Sequence, residues 1–248
     1  MKKQYIYVLL TYITMQFSSF IGMPAFALIA ATMGFSSSDA KLYATAYWGM
    51  FSFVAALVII IVLLRKELTF SGAPLRSDIP KASIGIATIW VFAGIFMAFI
   101  SQSIAIELET LIGIEAGSKN TQFLVSLISS VPIFIIITSI IGPILEEIVF
   151  RKIIFGTLYK RWNFFISALL SSLIFGLAHF EFTHLILYTA MGFTFALLYA
   201  KTQRILVPIV AHVMMNTLVV IAQLVFKDEI EKMLNEMDQV QSFIGGLL

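Results

Sequence analysis

The chain has 248 residues, of which 60% are hydrophobic and 12% charged, with a net charge of +2 and a mean hydropathy of +0.97. A soluble domain carries about 25% charged residues, so this composition argues against a water-soluble globule, a disordered chain and a nucleic-acid binder, and for a multi-pass membrane protein. The absence of cysteine excludes disulfides, thiolate metal sites and a cysteine nucleophile, and leaves His179, His184 and His212 as the imidazoles.

A spanning helix needs about 20 mostly apolar residues. Seven segments qualify, which predicts an all-α polytopic bundle: 4–34, 42–64, 82–106, one within 123–159, then 163–180, 184–200 and 205–226. A short or re-entrant segment around 123–141 would make eight. The first segment is interrupted at Gly22 and Pro24, where a kink is expected. Lys2, Lys3, the apolar stretch and Ala25-Phe26-Ala27 also resemble a signal peptide, but the apolar run continues to Met33, as a retained helix would. Three regions are distinguished within one membrane domain: residues 1–120 without a recognised motif, 121–226 with the chemistry-bearing groups, and a polar surface tail over 227–248.

Charge placement predicts orientation. With the N-terminus in the cytoplasm, 12 of the 16 positive residues fall inside, leaving Lys41, Lys119, Lys227 and Lys232 outside. That split is what the positive-inside rule expects of seven spans, N-terminus in and C-terminus out. Short loops suit a bacterial plasma membrane.

Ionisable groups within apolar spans are costly and mark function by default. Glu147 and Arg151 are four apart and share a helix face. Glu146 points about 100° away from Glu147 on an α-helix and has no basic residue three or four positions on. Glu147 thus reads as a structural carboxylate, and Glu146 as the free one that can act as general base, unless both simply cap a helix end. If the fourth helix continues through the apolar stretch 153–159, Glu146 lies about 20 Å from its cytoplasmic end, with His179, Asn216 and His212 at about 24, 18 and 12 Å in their own spans. These groups can then meet near mid-membrane. Phe175 lies one turn below His179, with Gly176 between them allowing close helix packing. His212 and Asn216 face one way from the last helix, where they could also serve as interhelical hydrogen-bonding groups. His184, in an expected outer loop after Glu181 and Thr183, reads as interfacial.

The ordered set Glu146-Glu147-x-x-x-Arg151, Phe175-x-x-x-His179 and His212-x-x-x-Asn216 resembles the motifs of the CPBP (Abi) intramembrane proteases, the family of CAAX prenyl endopeptidases and bacteriocin-processing or immunity proteins. The resemblance covers about residues 143–216. It implies a membrane endopeptidase in which Glu146 activates water, His179 assists in proton transfer, and His212 and Asn216 stabilise the oxyanion, supported by Glu147, Arg151 and Phe175. The implied substrate is a membrane-associated peptide or protein, such as a pheromone or bacteriocin-like precursor. Glu146, His179 and His212 would also make a His₂Glu zinc set, but Glu147 would then have to be the base despite its pairing, so a metal-free site is favoured. A non-catalytic immunity or scaffold protein of the same fold, or a proton-coupled transporter, are the competing readings. Nucleic acid is not an expected partner.

Overall fold

Serine and asparagine side chains set where helices begin. Ser36, Ser83, Ser118 and Asn163 accept backbone N–H groups from Asp39, Ile86, Thr121 and Ile166, satisfying donors that a first helical turn leaves free. The computed structural model describes residues 2–67, 75–76, 78–115, 117–226 and 232, and among these there is no strand. The helices are α1 (Lys3–Thr32), α2 (Ser37–Leu64), α3 (Ile84–Leu111), α4 (Lys119–Ser130), α5 (Pro132–Tyr159), α6 (Phe164–Leu177), α7 (Leu185–Thr202) and α8 (Leu206–Val225).

Among the described residues six helices are long and apolar enough to cross a membrane: α1, α2, α3, α5, α7 with the turn before it, and α8. The segment expected over 163–180 is shorter, 14 residues, because the chain turns at residues 178–180, where Phe180 takes a left-handed φ of 56°. His179 therefore sits in that turn and not on the helix. The stretch 123–141 does not form an eighth helix of spanning length: α4 has 12 residues, and α5 starts at Pro132. α1 passes through Gly22 and Pro24 as one 30-residue helix. Gly22 is there because the Trp48 ring of α2 occupies the space a Cβ would need. The tail expected over 227–248 lies outside the described residues, apart from Lys232.

α5 lies inside the bundle, with 56% of its most apolar window buried, as for the α7 span, against 11% for α1 and α3. Its winding is mixed: a 3₁₀ turn at Pro132–Phe134, π-helix at Ile137–Ile141, α-helix at Gly142–Glu146, π-helix at Glu147–Phe155 and α-helix at Gly156–Tyr159. Pro143 has no N–H to give the carbonyl four residues back, which disfavours plain α-helix just before it. Leu145, Ile148, Phe150 and Ile153 of α5 pack with Val8 of α1 and Ile60 of α2, while Phe195 and Leu198 of α7 pack against Ala98 of α3 and Met215 of α8. Close approach rests on small residues, as it must where lipid competes with any apolar contact. Gly176 of α6 lies against Leu185 and Thr189, and Gly192 of α7 against Ser172.

Polar contacts tie the two ends of the bundle. At one end Lys2 Nζ and the Tyr5 hydroxyl donate to Glu67, each at 2.7 Å. Burial alone would raise the Glu67 carboxyl, but these bonds hold it below its ordinary value. At the same end the Arg76 N–H donates to Gln203 Oε1 at 2.8 Å and Arg204 Nε to the Ala82 carbonyl at 2.6 Å. At the opposite end Glu181 accepts from Ser118 at 2.6 Å and from Tyr188 at 2.7 Å.

Candidate active site

Glu146 and Glu147 stand where α5 changes from α- to π-helical winding, and the two carboxylates have different surroundings. The Glu147 side chain is 0% exposed. Its Oε2 lies 3.3 Å from Arg151 Nε, and its Oε1 accepts from His212 Nδ1 at 3.0 Å. Arg151 is equally buried, its guanidinium 4.4 Å from the Phe175 ring and 5.8 Å from that of Phe195, an arrangement in which aromatic faces share the stabilisation of the cation. The pairing of Glu147 with Arg151 is as the four-residue spacing predicts. The His212 bond across to α8 has no signal in the local sequence. Arg151 lies in the core and not at a cytoplasmic loop, so it drops out of the charge count used for orientation.

Glu146 faces a cavity of about 640 Å³. Its side chain is 19% exposed, and its Oε2 lies 3.8 Å from His212 Nε2. His179, Asn216, Thr138 and Tyr12 line the same cavity. His179 donates from Nδ1 to the Phe175 carbonyl at 2.8 Å, since a carbonyl only accepts, and this leaves Nε2 as its free nitrogen. Asn216 donates from Nδ2 to the Thr138 carbonyl at 3.4 Å, in the π-helical part of α5. Glu146, His179, His212 and Asn216, 70 residues apart in sequence from first to last, thus line one cavity together with Phe175, with Glu147 and Arg151 packed behind them.

The interfacial reading of His184 is overturned. His184 is buried, and its Nδ1 lies 2.8 Å from Glu109 Oε2, while Glu109 Oε1 accepts the Leu187 N–H at 3.0 Å. Glu109, just beyond the third apolar run of the sequence, is itself 2% exposed. Its position at the end of an apolar run was the signal that could have found it. Tyr188 and Phe195 also escaped the sequence reading. The Tyr188 ring stacks on His179 at 4.0 Å between centroids, and Phe195 on His212 at 4.5 Å.

A zinc site needs three protein ligands converging on one point. Among the described residues no three His, Cys, Asp or Glu side chains do so. His212 directs one nitrogen at Glu147 and the other at Glu146, and His179 turns Nδ1 away onto a carbonyl. The His₂Glu alternative of Glu146, His179 and His212 does not fit zinc as these side chains lie.

Comparison with known proteins bears on the same region. The family described as Type II CAAX prenyl endopeptidase Rce1-like matches residues 128–218, which hold all three motifs. A Bacillus subtilis (strain 168) protein named "Putative membrane peptidase YdiL" is 48% identical over 249 residues, covering 100% of this chain and 99% of the relative. The Staphylococcus aureus (strain USA300) protein named "Membrane-embedded CAAX protease MroQ" is 38% identical over 165 residues, 64% of each chain. No solved structure matches.

Proposed function

This chain belongs to the Rce1-like CAAX prenyl endopeptidase family and is a multi-pass membrane peptidase, and from that premise we propose that it hydrolyses a peptide bond of a membrane-associated peptide or protein with water activated by Glu146. The observation that carries this is the inequality of the two adjacent carboxylates. Glu147 is sealed against Arg151 and His212, whereas Glu146 opens onto the cavity beside His212 and His179.

The chemistry follows from these positions. Glu146 takes a proton from a water in the cavity as its oxygen bonds to the substrate carbonyl carbon. The charge that develops on the carbonyl oxygen is met by donors on one face of α8. Asn216 Nδ2 is one, released from its long bond to the Thr138 carbonyl, and His212, when it carries a proton on Nε2, is the other. Glu147 Oε1 accepts from His212 Nδ1 and fixes which way that ring points. The C–N bond then breaks, and the proton held by Glu146 passes to the leaving amine, with His179 Nε2 assisting the transfer. No step requires a metal. A small amphipathic precursor of a secreted peptide is the substrate that suits a cavity within the bilayer.

Cells expressing wild type or Glu146→Gln at matched membrane levels test this reading when the small peptides they release are compared by mass spectrometry. Peptides that appear with wild type and vanish with Glu146→Gln are the expected result, and their ends give the bond cut. Identical peptide sets from the two folded proteins would overturn it.

A further inference from the structure

Resting on the catalytic reading above, we propose that α7, which carries none of the three motifs, is the element that positions both imidazoles of the site, through Tyr188 and Phe195. The two residues are seven apart, two turns on one face of the helix. Tyr188 lies against His179 with 22° between the ring planes, and Phe195 against His212 with 20°. Each histidine comes from a different element, His179 from the turn after α6 and His212 from α8, yet each is held in the same way. One hydrogen bond is made at Nδ1, to the Phe175 carbonyl or to Glu147, and one aromatic face lies parallel to the imidazole.

A single bond at Nδ1 leaves an imidazole free to tilt about it. A parallel ring at van der Waals distance removes that freedom. The two constraints together leave Nε2 as the nitrogen available for chemistry in both histidines. The supporting rings are themselves packed and bonded on their other sides. The Tyr188 hydroxyl donates to Glu181 Oε2 at 2.7 Å and lies 3.3 Å from Ser118 Oγ. Phe195 is 0% exposed, with the Arg151 guanidinium against its ring. Phe195 lies outside the cavity lining and Tyr188 within it, but both act on the chemistry through the histidines and are positioning residues.

Two readouts on the full chain in detergent test this. With only three histidines in the sequence, a histidine-labelled protein gives NMR signals that single His→Gln variants assign. Ring protons over an aromatic face are shielded, so Tyr188→Leu is expected to move the His179 signals downfield and leave His212 alone. Phe195→Leu does the reverse, and Tyr188→Phe leaves both in place. Phe195→Met, equally without a ring, replaces the leucine variant if that does not fold. Turnover of the Glu146-dependent peptide is expected to fall in kcat in both leucine variants by about 100-fold, the loss that ~1 Å of misplacement causes, with KM unchanged for Phe195→Leu, whose ring is not part of the cavity lining. Tyr188→Phe restores it to within a few-fold. Unmoved histidine signals, or wild-type kcat in folded leucine variants, would overturn the proposal. If wild type and Glu146→Gln release the same peptides, the protease reading fails by itself, and the histidine spectra still decide whether α7 fixes the rings.

Discussion

Glu146 and Glu147 differ by one position and by nearly everything else that matters to a carboxylate. The buried one has Arg151 and His212 against it, and Arg151 in turn has no hydrogen-bond partner on its three nitrogens among the described residues. Its charge is met by one ion pair and two aromatic faces. Arg151→Ala would strand Glu147 as an unpaired charge in an apolar interior, a change that costs about 3–5 kcal/mol. The folded fraction recovered from membranes should fall and the thermal midpoint in detergent drop by many degrees. Arg151→Lys should not repair it, since an ammonium cannot lie flat between two rings as a guanidinium does. Wild-type melting of Arg151→Ala would mean that the pair does not support the fold. The i, i+4 spacing made this pair legible in the sequence, because it depends on one helix alone. The His212 bond to Glu147 and the burial of His184 with Glu109 were not legible, because each joins side chains more than 60 residues apart and only packing decides which of several apolar helices become neighbours.

At the scale of helices, the spans could be read because a membrane demands long apolar runs. Their ends were less legible where a turn is itself apolar, as at Ala178–His179–Phe180, and the π-helical winding of α5 has no compositional mark beyond Pro143. The role of α7 was hidden for a similar reason: Tyr188 and Phe195 look like any lipid-facing or core aromatics until the histidines are seen to lie on them. Gly192 shares their face, between them, and it sets the distance from α7 to α6. A Cβ there would lie 2.9 Å from Ser172 Cβ and 3.1 Å from Ser172 Cα, and backbone cannot move aside as a flexible side chain can. Gly192→Val should therefore push α6 away, carrying the His179 turn with it. A loss of about 1–3 kcal/mol in stability is expected, read as a lower melting temperature, together with a larger fractional loss of peptide release than stability alone explains. Unchanged release at full stability would show that the α6–α7 spacing is not critical.

For the molecule as a whole, orientation decides from which side a substrate reaches Glu146. Lys2, Glu67, Arg76 and Arg204 gather at one end of the bundle, and removing Arg151 from the tally leaves the positive residues still concentrated there. By the positive-inside rule we propose this as the cytoplasmic end. The cavity lining runs from Glu146 to Glu115, Gly117 and Ser118 in the segment between α3 and α4, at the opposite end. The site would then open toward the external face, suiting a peptide already inserted in or crossing the membrane. The cysteine-free sequence offers a clean test, since any introduced thiol is the sole one. Lys160 and Glu115 are both exposed and stand at opposite ends, Glu115 at the far end of the cavity lining and neither of them among the groups assigned to the chemistry. A membrane-impermeant maleimide applied to intact cells should label Glu115→Cys and spare Lys160→Cys, with both labelled after lysis. The reverse pattern would place the cavity mouth in the cytoplasm, and would then require a substrate that approaches the same glutamate before it leaves the cell.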